Sequence, residues 1–147
     1  MKNFVLRFFR KNKKHIIVSC KTDEVIINDQ KFTFPTNYNS LVAIFGEPNR
    51  NLNKSKNYVF WDSLGVFCRY TDTEEIFSIN FFQNKKDRSE YNTKKQFSGE
   101  LFLNDENITN NEFDKISLGD ISILRLGSEN EIRYGFSIGV NKSYKLL

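Results

Sequence analysis

The sequence predicts an α+β fold: a mainly antiparallel sheet with one principal short helix at about 37–46. Three observations carry this. Short apolar stretches with period-two alternation recur along the chain, the spacing of half-buried strands. Asn, Asp and Gly clusters of turn type separate them. Only residues 37–46 combine helical spacing with both a start and a stop signal.

Taken in order, Val5 to Phe9 reads either as a first strand or as a short amphipathic turn. Ile16 to Cys20 reads as a strand. Glu24 to Ile27 and Lys31 to Phe34 form a hairpin around Asn28-Asp29-Gln30. Leu41, Ile44 and Phe45 then fall at i, i+3 and i+4, one face of a helix. Thr36 or Asn37 caps its start with a side-chain oxygen. Gly46 ends it, and Pro48 prevents re-entry. An Asn- and Lys-rich loop is expected over 49–57. Tyr58 to Trp61 follows as a strand, with Val59 and Trp61 on one face and Tyr58 and Phe60 on the other. Asp62-Ser63-Leu64-Gly65 reads as a turn. Val66 to Tyr70 returns, with Val66, Cys68 and Tyr70 alternating against Phe67 and Arg69.

Ile76 to Phe82 is expected as one strand with Phe77, Ile79 and Phe81 sharing a face. Residues 83–96 hold no aliphatic side chain and read as an exposed loop. Phe97 to Leu103 is a strand with Phe97, Leu101 and Leu103 inward. Ile121 to Leu126 and Ile132 to Ile138 form a last hairpin, in which Ile132, Tyr134, Phe136 and Ile138 alternate. Residues 25–33 match residues 101–109 position by position: apolar strand, Asn-Asp turn, apolar residue, Thr. Each is followed by a polar stretch and a candidate short helix. The likeness reads either as a duplicated unit or as reuse of a good hairpin turn.

At 147 residues the chain is expected to form a single domain, 1–147, with 1–14 as a basic N-terminal arm. Fifteen Phe, six Tyr and one Trp promise an aromatic core, and Trp61 is expected inside it. The formal charge of +4 is unevenly placed. Residues 1–21 carry seven bases and no acid, while residues 96–132 carry eight acids against Lys115 and Arg125. Asp105 and Glu106 at a predicted hairpin tip, Glu112 and Asp114 just beyond it, and Glu129 and Glu131 at the last hairpin are the candidate partner-binding residues. A clustered negative surface steers a basic protein.

The sequence offers little for catalysis. His15 is the only histidine and lies beside lysines, so a Cys68–His15 pair has no sign of activation. Asp62 reads as the start of a turn, and the Asp72, Glu74, Glu75 trio as caps on the link between two strands in water, rather than as an acid–base pair. No metal-ligand spacing and no glycine-rich phosphate cradle is present. The reading is therefore not an enzyme, with no cofactor and no metal. No run of about 18 apolar residues occurs, and the apolar run before Cys20 is too short for a signal peptide. A cytoplasmic protein is expected, with Cys20 and Cys68 as core residues.

One stretch carries a family likeness. Phe45-Gly46-Glu47-Pro48-Asn49-Arg50, followed by Tyr58-Val59-Phe60-Trp61-Asp62-Ser63-Leu64-Gly65-Val66, resembles a small bacterial domain with the pattern LG-x-P-x-R … Y-x-W-D-x-LG-I. The likeness spans about 24–109, with Phe45 where Leu is usual. Its signature residues Gly46, Pro48, Trp61, Asp62 and Gly65 read as structural. The resemblance implies toxin-neutralising immunity proteins, hence a non-enzymatic protein that binds a basic toxin domain. The alternative is a nucleic-acid- or membrane-surface-binding module using the arm and its Phe4, Phe8 and Phe9.

Overall fold

The computed structural model describes residues 15–53, 57–84, 92–128 and 133–141. The arm 1–14, Ile132, and the acids Glu129 and Glu131 lie outside them. The fold is α+β and dominated by strand, with a single helix among the described residues.

A five-stranded sheet has the order β11-β10-β1-β2-β3. Its strands are β1 (Ile17–Lys21), β2 (Glu24–Ile27), β3 (Gln30–Phe32), β10 (Glu100–Leu103) and β11 (Glu106–Asn107). β1 sits in the middle, antiparallel to β2 and parallel to β10. Val18, Cys20, Val25, Ile27 and Leu101 are fully buried, so the alternate residues of these strands form one inward face.

A seven-stranded antiparallel sheet has the order β12-β13-β14-β9-β7-β6-β5. Its strands are β5 (Arg50–Asn53), β6 (Asn57–Trp61), β7 (Val66–Tyr70), β9 (Ser78–Phe82), β12 (Lys115–Leu118), β13 (Ile121–Leu126) and β14 (Gly135–Val140). Two short strands, β4 (Thr36–Asn37) and β8 (Glu75–Ile76), pair beside it. One buried cluster draws side chains from both large sheets and from α1 (Tyr38–Phe45), which contributes Leu41 and Phe45. A second cluster, Phe60, Phe67 and Phe82, lies on the opposite face of the larger sheet. The faces of Val59/Trp61 and Tyr58/Phe60 are thus separated as the alternation requires.

α1 keeps its expected signals. The Asn37 side chain accepts from the Ser40 N–H, and Gly46, at φ 81°, donates its own N–H to the Val42 carbonyl. Gly65 closes the β6–β7 turn at φ 74°. A Cβ there would stand 2.2 Å from the Phe97 backbone nitrogen, so the close approach of the 96–97 strap needs glycine.

Several expectations need correction. The expected loop at 49–57 contains an edge strand, β5, whose Arg50 and Leu52 are half-buried on the Phe60 side of the sheet while Asn51 and Asn53 are exposed. An edge strand tolerates such polar residues because only one side is paired. The expected strand 76–82 breaks at Phe77. Ile76 serves β8, and Phe77 is 40% exposed instead of sharing the face of Ile79 and Phe81. The strand expected from Phe97 begins at Glu100, though Phe97 is buried. The last strand begins at Gly135. Tyr134 packs with the second cluster and Phe136 with the first, so the alternation breaks at that glycine. Residues 92–96 do not hang free: Thr93 is buried, and Lys95 donates its N–H to the Asp62 carbonyl. No helix follows the second hairpin; β12 does.

Candidate functional site

The signature residues are one another's partners. The Trp61 indole N–H donates to the Gly46 carbonyl at 2.6 Å, and its ring lies 5.3 Å from that of Phe45. This ties the C-terminal end of α1 to β6. Arg50 lies opposite Phe60 in the β5–β6 ladder and its guanidinium covers that ring at 3.9 Å. It continues two residues along β6 to Asp62, where Nε donates to Oδ2 at 3.0 Å and Nη2 to Oδ1 at 3.2 Å. The Asn92 carbonyl and the Lys94 N–H complete the pair, one accepting from Arg50 and the other donating to Asp62. Asp62 starts the β6–β7 turn as expected and is only 3% exposed. A buried carboxylate of this kind holds a strap in place, and Arg is the cation that can fork onto it.

A second cation, Arg125, is buried without a carboxylate contact of its own. It donates to the carbonyls of Thr109 and Asn111 and to the Gln83 amide oxygen, and stands 4.8 Å over Phe113. Burial lowers its pKa. Its role is to pin the 108–114 loop onto β13.

The candidate acids are placed as follows. Asp105 lies at the β10–β11 turn, 3.8 Å from the Lys21 ammonium, and Glu106 follows it in β11. Glu112 and Asp114 are brought together on one guanidinium, that of Arg133, with Asp114 at 2.7 Å. The Arg133 hydrogen bond lowers the Glu112 pKa, and the two carboxylates raise that of Arg133. Both acids still face water, with side chains 52% and 88% exposed. Sequence reasoning missed Arg133 as their organiser, because nineteen or more residues separate the partners.

The reactive side chains are otherwise engaged. Burial pushes the Cys20 and Cys68 thiols up to about 12, and both are free cysteines. His15 Nε2 meets Glu100 Oε1 at 2.9 Å. Thr71, Thr73 and Glu75 hydrogen-bond within the β7–β8 turn. Among the described residues no three His, Cys, Asp or Glu are grouped to hold a metal ion. None of their helices is long and apolar enough to cross a membrane.

Residues 17–118 match a domain of unknown function, DUF7738, from the first residue of β1 to the last of β12. The chain belongs to that family. No curated protein and no solved structure matches it. The DUF7738 segment holds both members of the Arg50–Asp62 pair and the Trp61–Gly46 contact. β13, β14 and Arg133 lie beyond it, yet β14 sits between β13 and β9 in the larger sheet.

Several hollows open among the described residues. One of about 510 Å³ lies on the outer face of β9, β13 and β14, beside Phe77, Leu124 and Val140. A polar one of about 500 Å³ runs between β3 and α1. A smaller one, of about 150 Å³, is lined by Tyr38, Asn51, Val59, Tyr70 and Glu74.

Proposed function

We propose that this DUF7738 protein is a non-enzymatic, cytoplasmic binding protein of the immunity type. Its partner is a basic antibacterial toxin domain, which it neutralises by occupying the toxin's cationic surface. The observation that supports this best is the charge of the chain beyond its basic arm. Residues 15–147 hold eighteen Asp and Glu against sixteen Lys and Arg, a balance of −2, and eight of those acids fall within 96–132. Several of those bases are already committed. Arg50 and Arg133 pair with carboxylates, Arg125 is buried, and Lys21 and Lys31 pair with Asp105 and Glu24. Among the described residues, exposed carboxylates therefore outweigh exposed cations. Arg133 holds Glu112 and Asp114 in place, so a partner need not order them on binding. In this reading Asp105, Glu106, Glu112 and Asp114 face the toxin, together with Glu129 and Glu131. Engagement of the thiols and of His15 in packing and pairing favours binding over catalysis.

The test is a charge-reversal variant, Asp105→Lys with Glu106→Lys and Glu112→Lys. It is assayed against a cognate basic toxin domain, for association rate and for protection of cells. The rate should fall and lose its salt dependence, because surface charge steers encounter. Full protection at an unchanged rate discards the acidic surface. Failure of the parent chain to protect discards the immunity reading. A second reading rests on the six bases and three Phe of residues 1–14, which suit a nucleic-acid or membrane surface. It requires salt-sensitive binding that disappears when those residues are removed.

A further inference from the structure

We propose that the small cleft beside the first turn of α1 is a receptor for one basic side chain, arginine in preference to lysine, presented by a protein partner. This rests on the reading of a basic partner and gives that reading an anchor point distinct from the Glu112–Asp114 pair.

The cleft is formed where the inward face of β5, β6 and β7 runs out from under the helix. Its floor is Val59, which stands between Asn51 of β5 and Cys68 of β7 in the ladder. Val59 and Cys68 are buried, so the floor is dry and apolar. The walls are Tyr38, the first residue of α1, and Tyr70, the last of β7. Both rings are partly buried against the core, which fixes their faces. Glu74 closes the rim from the β7–β8 turn, and Asn51 stands opposite on the edge strand. A second carboxylate, Glu47, acts on the same wall: after burial, its charge is the next cause of the raised Tyr38 pKa.

These groups select the occupant. Among the described residues the lining holds two tyrosines, a carboxylate and an amide, and no Lys or Arg. Aromatic faces attract cations through the ring quadrupole, and Glu74 can accept from a guanidinium or ammonium. An anion would meet the Glu74 carboxylate. An apolar side chain would strip water from Glu74 and return no hydrogen bond. Size narrows the choice further. Sites for metabolites and drug-sized ligands enclose about 300–1,000 Å³, whereas this hollow is about 150 Å³. It therefore takes the end of one side chain. Arginine fits best, because a planar guanidinium stacks on a ring and hydrogen-bonds a carboxylate at once, which ammonium cannot do. An arginine seated among aromatics is also the usual composition of an interface hot spot.

The probe is Nα-acetyl-arginine methylamide, titrated into the full chain labelled with ¹⁵N. Weak binding in fast exchange should shift the amide signals of Tyr38, Asn51, Tyr70 and Glu74. The lysine analogue should bind less tightly, and the norleucine analogue should cause no shift there. Glu74→Gln and Tyr70→Leu should each weaken the arginine probe about tenfold or more, while Tyr70→Phe keeps it. Glu74 is an exposed turn residue, so an unchanged melting temperature separates lost binding from lost folding. Equal shifts with norleucine, or shifts confined to other surfaces, overturn the proposal. Against a cognate toxin the two readings part. If the parent and Glu74→Gln protect equally and the probe misses the cleft, the receptor falls and the immunity reading stands. If the probe binds the cleft but the parent neutralises no toxin, the reverse holds.

Discussion

Replacing Trp61 with alanine should come close to unfolding the protein. Trp61 is 1% exposed, its ring packs on Phe45, and its N–H is bonded to the Gly46 carbonyl. Removal of a buried Trp or Phe side chain costs about 3–5 kcal/mol, from lost transfer energy and the cavity left behind. The lost hydrogen bond adds about 0.5–1.5 kcal/mol. That addition lies at the low end, because Gly46 is exposed and water can reach its carbonyl. A loss of about 4 kcal/mol is a large part of the about 5–15 kcal/mol that holds a typical domain together. At about 2–4 °C per kcal/mol for a chain of this size, the melting temperature should drop by roughly 8–16 °C. Trp61→Phe keeps the ring contact and should lose only about 1–2 kcal/mol. Urea unfolding followed by far-ultraviolet circular dichroism measures both variants. Trp61 is the single tryptophan, so its fluorescence reports the same core in the parent. A Trp61→Ala variant with the parent's midpoint would refute the packing argument and make Trp61 a surface platform.

Asp62→Ala should cost about 3 kcal/mol, the low end for breaking a buried ion pair, because the Arg50 side chain remains 30% exposed. The Arg50→Ala/Asp62→Ala double variant should lose less than the sum of the singles; strict additivity would deny the coupling. Arg125→Lys should destabilise by about 3 kcal/mol, since one ammonium cannot serve carbonyls and an amide held by a planar fork; an unchanged denaturation midpoint would contradict that. Cys20 and Cys68 should resist Ellman's reagent in the folded chain and react at once in denaturant. Their thiols ionise near 9 when unfolded but about 12 when buried, so above pH 9 the unfolded chain binds fewer protons. Stability should therefore fall between about pH 9 and 12, by up to about 1.4 kcal/mol per pH unit for each thiol. A Cys20→Ala/Cys68→Ala variant whose stability falls as steeply over that range would refute the assignment.

Local signals were legible where the chain solves its problem within a few residues. Asn37, Gly46 and Pro48 delimit α1 because caps and breakers act on adjacent backbone groups. The alternation of β6 and β7 is read correctly because both faces are packed and the pattern is regular. The misreadings have long-range causes. β5 carries an Arg and two Asn around one Leu, and only its pairing with β6 makes it a strand. Phe77 looks like a core residue by spacing, but the switch from β8 to β9 turns it outward. Asp62 starts its turn as read, but its burial under Arg50 and the 92–95 strap leaves no mark on the local sequence. Periodicity records which residues face together. It does not record which distant segment will cover a polar one.

The twin Asn-Asp hairpins show the same limit. Asn28-Asp29 and Asn104-Asp105 form two-residue turns with φ of 47° and 68° in one and 48° and 69° in the other. Both hairpins flank β1, and Asn28 and Asn104 donate their N–H groups to Ile17 and Cys20 at opposite ends of it. Their backbones agree because a two-residue hairpin demands positive φ at both central positions, which Asn and Asp accept best after Gly. Beyond the turns the likeness stops. β2 runs antiparallel to β1 and β10 parallel, and β3 leads to α1 while β11 leads to β12. A duplicated strand-turn-strand-helix unit would carry its helix with it. The repeat is better explained by the turn: the same geometric demand, met twice in one sheet, selects the same two residues.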